Sequence, residues 1–235
     1  EIMQQTLETL AETLGTSMEA ASRVRNELQP CRNLARELDE LTWKDGLVSG
    51  GENHYWLVSS SDFNRDHHEY YSQLKTLVTA CQQRQPYPAD YLRMAYIGVP
   101  PVYARDFFPY LETNGARIVF NEIQRQFAMP EAGNSLADQY SSYTYPYSIH
   151  ERLKDITTEL DKRRVDGVIH YVQAFCHRGI GDIIFRNAIN LPFLILEGND
   201  DYSLTNHKKT RIEAFLDMLQ RRKQGFKYGR RALRR

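Results

Sequence analysis

The sequence predicts an α/β fold: a four-stranded parallel sheet of the Rossmann or flavodoxin type, with helices on both faces and a helical segment in front. The first observation is that short apolar runs alternate with segments of helical periodicity after residue 88. This alternation is typical of parallel strands joined by right-handed crossover helices. The second observation is that residues 1–88 contain no strand pattern. We therefore predict a helical lobe over 1–88, an α/β domain over 89–220 and a basic, disordered tail over 221–235.

The helical lobe is predicted from apolar stripes and helix caps. A first stripe of leucines ends at Gly15, and Thr16 followed three residues later by Glu19 forms a capping box that opens a second helix. Residues 46–64 are rich in Gly, Ser and Asn, and we predict a loop there. A third helix follows, with its apolar face over residues 70–81.

The α/β domain begins after the segment Gln-Pro-Tyr-Pro at 85–88, because two prolines exclude helix and favour an extended connection. Ser148 and Glu151 form a further capping box, which predicts that a helix starts there. The predicted strands cover residues 92–99, 116–120, 165–175 and 192–196, and the predicted helices cover 103–111, a short segment from 136, a segment from 148, 180–188 and a last segment around 212–219.

The composition excludes several classes of protein. The 235 residues carry 30 basic and 30 acidic side chains. No apolar run approaches the roughly 20 residues that span a bilayer, and no secretory signal pattern opens the chain. We expect a soluble, cytoplasmic protein, and three scattered cysteines fit a reducing compartment. Because the sequence begins at Glu1 rather than at methionine, we also expect it to be part of a longer protein.

The tail at residues 221–235 holds eight Lys or Arg side chains and no acidic one. A segment of this kind can bind nucleic acid or an anionic surface. The rest of the chain has no other basic stripe, so we favour a solvated terminus and do not expect nucleic-acid binding. Binding of nucleic acid through the tail stays as an alternative.

Residues that could line a ligand site follow each predicted strand, namely Pro100, Glu122, Cys176 with His177, and Glu197. The carboxyl ends of parallel strands meet at one edge of a sheet, which is where ligands bind in open α/β folds. Cys176 also precedes a predicted helix, whose amide groups stabilise a thiolate for metal binding or nucleophilic attack. Strand exits are polar in every fold of this type, so a purely structural interpretation stays open.

The other candidate side chains have plainer interpretations. Cys31 and Cys81 fall on predicted helices without a second metal ligand at a suitable spacing. We therefore expect both side chains to pack in the apolar core as small hydrophobic groups. His67 and His68 are neighbours at a helix start. We expect them to point in different directions into solvent rather than to share one ion.

Several segments together resemble the C-terminal part of the 2-hydroxyacyl-CoA dehydratase D-component family, which includes 2-hydroxyglutaryl-CoA dehydratase, benzoyl-CoA reductase and double-cubane cluster reductases. The helical opening is similar to the linker between the two α/β domains of that family. The segments that carry the resemblance are Ile-Gly-Val-Pro at 97–100, Asn-Gly-Ala at 114–116, Asp-Gly-Val-Ile at 166–169, Phe-Cys at 175–176, Leu-Pro-Phe-Leu at 191–194, Glu-Gly-Asn-Asp at 197–200 and Thr-Arg-Ile-Glu-Ala-Phe at 210–215.

The resemblance implies an iron-sulfur protein, with a [4Fe–4S] or double-cubane cluster expected in the full-length protein. It implies that an ATP-dependent activator supplies an electron, which passes to a CoA thioester and lets the 2-hydroxy group leave, as in a lyase. Cys176 would be a cluster thiolate. Pro100, Glu122, Tyr147, His177 and Glu197 would line the substrate or cluster pocket, and no catalytic residue is assigned. The resemblance also implies a homo- or heterodimer and no membrane partner.

The resemblance has a second interpretation. Dehydratase subunits often have another cysteine just after the proline before the helix that here starts beyond Ser148, and this chain has Tyr147 there. That difference favours a binding or scaffold module that keeps the fold without a complete cluster site.

Overall fold

The sheet of the computed structural model has four parallel strands in the order β2-β1-β3-β4, which confirms the predicted α/β class. The structure describes residues 1–101, 104–129, 133–143, 148–198 and 202–232, and the side chains of 104, 177–178 and 226–232 are outside that description. The strands are β1 (Leu92–Gly98), β2 (Ala116–Asn121), β3 (Gly167–Gln173) and β4 (Phe193–Gly198).

Helices account for most of the remaining described residues. None of the helices in the described ranges combines the length and the apolar character that crossing a membrane requires. The helices are α1 (Ile2–Thr13), α2 (Met18–Glu40), α3 (Gly50–Ser59), α4 (His67–Cys81), α5 (Ala104–Thr113), α6 (Glu122–Ala128), α7 (Leu136–Ser141), α8 (Ile149–Lys162), α9 (Asp182–Ala188) and α10 (Asn206–Ala232), with a π-helical turn at Leu41–Asp45 and 3₁₀ turns at Phe63–Arg65 and His177–Gly181.

Three apolar cores hold these elements together. Helices α5 and α10 pack on one face of the sheet, where Phe107 and Phe215 join the strand residues Tyr96 and Tyr171. Helices α8 and α9 cover the other face, together with the apolar side chains of β1, β2 and β3. The third core lies within the helical lobe, which we define as α1 to α4. Burial of both sheet faces explains why the strands are nearly continuous apolar runs.

The helical lobe covers the edge strand β2. Arg117 on β2 donates a hydrogen bond to the Thr42 carbonyl in the π-helical turn. Arg93 on the neighbouring strand donates to the Trp43 carbonyl at 2.7 Å. On α3, His54 Nδ1 lies 3.2 Å from the Asn121 side chain at the end of β2. An uncovered edge strand is prone to pair with other chains, so this contact protects the sheet.

The main local difference from the sequence prediction lies in residues 46–64, where we expected a loop and the structure has α3. Ser49 and Glu52 form a reciprocal capping box at its start. The helix is rich in glycine at its first turn because it packs closely on α5: a Cβ added at Gly50 would lie 3.0 Å from Phe108. Tertiary packing therefore overrides the low helix propensity of this segment.

Three smaller differences concern helix ends. The N-cap of α2 is Ser17, whose side chain accepts from Ala20 N at 3.2 Å, rather than Thr16. Ser148 does precede α8, but its side chain makes no capping hydrogen bond. The backbone of α10 is helical as far as Ala232, where we expected disorder from residue 221.

Arg163 joins the helical lobe to the α/β domain. It is 4 % exposed and follows α8. Its guanidinium donates to Asp39 on α2 at 2.7 and 3.1 Å, to Glu159 at 2.7 Å and to the Val119 carbonyl at 2.7 Å. The indole ring of Trp43 lies 5.4 Å from the guanidinium carbon. Such a buried cation is tolerated only while its partners remain in place.

We expect Asp39→Ala to lower the free energy of unfolding by about 3 kcal/mol, because Arg163 would keep its charge and lose one of two carboxylate partners. Urea denaturation followed by circular dichroism measures the effect. Glu40→Ala is the matched control, since Glu40 is the exposed acidic neighbour on the same helix. Equal stability of the two variants would contradict the proposed role of Arg163.

Gly98 at the end of β1 is expected to tolerate no side chain. Its φ is +110°, and an added Cβ would lie 2.0 Å from the Tyr171 carbonyl oxygen of β3. Gly98→Ala should therefore destabilise the protein by about 3 kcal/mol or more. Gly179→Ala serves as control because nothing lies within 4 Å of a Cβ there. Thermal melts of both variants check this, and a Gly98→Ala protein that melts like the control would refute it.

Candidate functional site

The carboxyl edge of the sheet forms one wall of an open cleft of 640 Å³. Pro100, which follows β1, and Ile123 on α6, which follows β2, line the cleft from the α/β domain. Arg32 and Ser61 line it from the helical lobe. Ligand sites in α/β proteins are found at this edge of the sheet, and the volume lies within the range of small-molecule sites.

The lining of the cleft is mainly apolar. Phe127, Met129 and Tyr140 contribute to it, and the Phe127 and Tyr140 side chains remain partly exposed. An apolar cleft with a few polar groups suits a ligand that has an apolar portion to bury.

Arg32 is the cationic residue that lines the cleft. Its Nη1 donates to the Ala128 carbonyl at 3.0 Å, and its guanidinium carbon lies 5.2 Å from the Phe63 ring centre. Burial lowers the pKa of this guanidinium, but an arginine stays charged at neutral pH. Arg32 is thus fixed by its contacts and offers a positive charge to an anionic or carbonyl group.

Glu122 is one of the predicted pocket residues, and its side chain is buried next to Ile123 of the cleft wall. It is 1 % exposed and receives two hydrogen bonds from Arg152 on α8, at 2.8 and 2.9 Å. The Gly98 amide donates to the same carboxylate at 3.1 Å. The pair fixes the ends of β1 and β2 against α8, so Glu122 holds the wall of the cleft.

Cys176 lies at the same edge of the sheet, three residues beyond β3. It is the N-cap of the 3₁₀ turn that precedes α9, and it is half-buried. Phe175 before it has a φ of +61° and is fully exposed, and Ile180 and Ile183 after it are also exposed. Cys176 therefore stands in an exposed apolar surface, and it is not one of the cleft-lining residues.

The two other cysteines lie in the core of the helical lobe, as expected. Cys31 is 2 % exposed and its Sγ is 3.4 Å from the His67 carbonyl oxygen. Burial raises the pKa of both the Cys31 and Cys81 thiols. A protonated, enclosed thiol is a poor metal ligand, so Cys176 is the only one of the three that the fold makes available.

The remaining predicted pocket residues are Glu197, His177 and Tyr147, of which the structure describes the side chain of Glu197. Glu197 lies within β4 and is exposed. The backbone of His177 begins the 3₁₀ turn, but its side chain is outside the described part of the structure. Tyr147 lies outside the described residues altogether.

Two histidines near the carboxyl edge were missed from the sequence, the buried His170 and the half-buried His54. His170 on β3 is 1 % exposed and its Nδ1 is 3.0 Å from Asp182 at the start of α9. Burial lowers the pKa of His170, and burial also lowers the pKa of His54 to about 4. Both rings are therefore neutral at pH 7. The sequence does contain a signal for His170, since it is a histidine within an apolar segment that predicts a buried strand.

Comparison with known proteins identifies the family. A search of curated proteins found no match. The model of the family described as 2-hydroxyglutaryl-CoA dehydratase, D-component, matches residues 2–219 of the 235 residues. The match includes the helical lobe as well as the α/β sheet, so both walls of the cleft fall within it. The chain therefore belongs to the 2-hydroxyglutaryl-CoA dehydratase D-component family and is a component of the 2-hydroxyacyl-CoA dehydratase type.

Proposed function

We propose that this chain forms one wall of an acyl-CoA site and supplies one thiolate to an iron-sulfur cluster in a 2-hydroxyacyl-CoA dehydratase. An ATP-dependent activator would deliver one electron, and the net reaction would be loss of water from the CoA thioester, with the electron returned at the end. The observation that carries this proposal is the placement of an apolar cleft and an accessible thiol at the same edge of the sheet.

The residues of the chain fit a shared cluster rather than a complete one. A cluster is usually held by several cysteine thiolates, and Cys176 is the one thiol that is not buried in the lobe. The other ligands would have to come from a partner or from groups other than Cys31 and Cys81. When bound, the cluster supplies one-electron transfer to the substrate.

The chain's own residues would bind and orient the substrate. The apolar side chains of Ile123 and Phe127 would exclude water from the acyl portion. Arg32 would place its positive charge near an oxygen of the acyl-CoA, where negative charge develops as the electron arrives. The buried pair of Glu122 and Arg152 would keep the wall rigid.

A second candidate function is a non-catalytic binding or scaffold module. The observation that favours it is that two of the three thiols are buried and therefore unsuited to bind a cluster. Such a module would still bind a ligand in the cleft but would hold no iron.

We expect Cys176→Ala to lose most of the iron and acid-labile sulfide when the full-length protein is purified together with its partner and without oxygen. The stability should change by only about 0.5 kcal/mol, because the side chain is half-exposed. Cys81→Ala is the matched control, since it removes a thiol from the lobe core and should leave the iron content unchanged. Wild-type protein without iron would favour the non-catalytic module, and an unchanged iron content in Cys176→Ala would refute the assignment.

A bulky side chain in the cleft tests whether the cleft binds the acyl-CoA. Ser61 is an exposed residue on the lobe wall of the cleft, so Ser61→Trp should occupy space without disturbing a core. We expect binding of a 2-hydroxyacyl-CoA to weaken at least about tenfold, equivalent to about 1.4 kcal/mol, as measured by calorimetry. Ser61→Ala should bind like the wild type. Equal affinity for Ser61→Trp and Ser61→Ala would place the acyl group elsewhere.

A further inference from the structure

A cluster of three potential metal ligands lies in the helical lobe, remote in sequence from the thiol at the sheet edge. Glu27 on α2 and the neighbouring residues His67 and His68 at the start of α4 each offer one ligand atom, and these atoms all lie within 4.8 Å of one another. From the sequence, the two histidines were expected to diverge. The structure instead places their ring centres 4.0 Å apart.

The position of His67 indicates a site rather than a chance cluster. Its Nε2 lies 3.2 Å from Glu27 Oε1. This nitrogen is inaccessible to solvent, yet no described group completes a hydrogen bond to it in good geometry. When the ring is neutral and carries its proton on Nδ1, the lone pair of Nε2 faces the lone pairs of the carboxylate oxygen. A cation between the two atoms would remove that conflict.

The helices that carry the ligands are fixed to each other. Cys31 and Leu34 of α2 pack in one core with Tyr70 and Leu74 of α4. Cys31 Sγ also lies 3.4 Å from the His67 carbonyl oxygen. This contact fixes the start of α4 relative to α2. The ligands therefore stand on rigid elements, which is the arrangement that a metal site needs.

The start of α4 is held by Asp66, whose carboxylate accepts from the amides of His68 and Glu69 at 2.9 and 3.1 Å. These hydrogen bonds lower the pKa of Asp66. The negative charge of Asp66 offsets the positive end of the helix dipole at the residues that carry the two histidine rings.

We propose that Glu27, His67 and His68 bind a divalent transition-metal ion of the zinc type, which links α2 to α4. Two imidazoles and one carboxylate form a known donor set for zinc with an open fourth position. Bonds of about 2.0–2.1 Å in tetrahedral geometry place ligand atoms about 3.3 Å apart, close to the 3.2 Å between His67 and Glu27. A small side-chain rotation of the exposed His68 completes the set.

Calorimetric titration of the full chain with ZnCl₂ tests the proposal. We expect one zinc per chain at this site. Both His68→Ala and Glu27→Gln should weaken binding by at least about tenfold, because even loss of a group outside the ligand shell costs roughly 10–100-fold. His207→Ala is the matched control, since it removes an exposed histidine elsewhere. All proteins should carry Cys176→Ser, so that the thiol cannot bind zinc.

The site has a second readout in thermal stability, since a ligand that binds only the folded state raises Tm with its concentration. At the same zinc concentration, zinc should raise the Tm of the His207→Ala control more than that of His68→Ala. Absence of saturable zinc binding, or binding that survives both Glu27→Gln and His68→Ala, would overturn the proposal. The outcome is independent of the iron content, which depends on Cys176.

Discussion

The contact between Arg163 and Asp39 is the constraint on which the arrangement of the lobe and the sheet depends. Asp39 is the last of three polar contacts along α2, after Arg25 and Arg32, and the three are spaced seven residues apart on one face of the helix. Arg25 donates to Gln139 at 3.1 Å and to the Gly133 carbonyl, and Arg32 donates to the Ala128 carbonyl. This polar seam ties α2 to the α/β domain along its length. Because Arg32 lies in the middle of the seam, the contact that holds the lobe also places a positive charge in the cleft.

The seam and the pair of Glu122 and Arg152 act on opposite sides of the cleft. Buried ion pairs add little net stability relative to apolar packing, but loss of one partner is costly. Their effect is therefore to specify one arrangement: the helical lobe is fixed at the edge strand, and the ends of β1 and β2 are fixed against α8. Between them, the apolar side chains of Ile123 and Phe127 line the cleft. A cleft with rigid polar borders and an adaptable apolar lining suits a ligand with an apolar acyl portion.

The sequence predicted the sheet well because strands buried on both faces have continuous apolar runs, and the prolines at 85–88 mark the boundary. It failed where long-range contacts decide the outcome. The segment around Gly50 was expected to be a loop because its glycines serve close packing against Phe108, a contact that local composition does not reveal. The pairing of Glu122 with Arg152 could not be seen in the sequence, because Arg152 lies 30 residues away and on another element. The position of Cys176 at the sheet edge follows directly from the end of β3.

The two proposed metal sites differ in the chemistry of their ligands. The thiol of Cys176 is a soft ligand and stands at the sheet edge among exposed apolar side chains, an environment suited to an iron-sulfur cluster. The imidazoles and carboxylate of the helical lobe are harder ligands, which favour zinc over a thiolate-bound cluster. Cys31 is buried close to His67. Burial raises the pKa of its thiol. The two proposed sites are therefore in separate parts of the chain, and their metals can be measured independently.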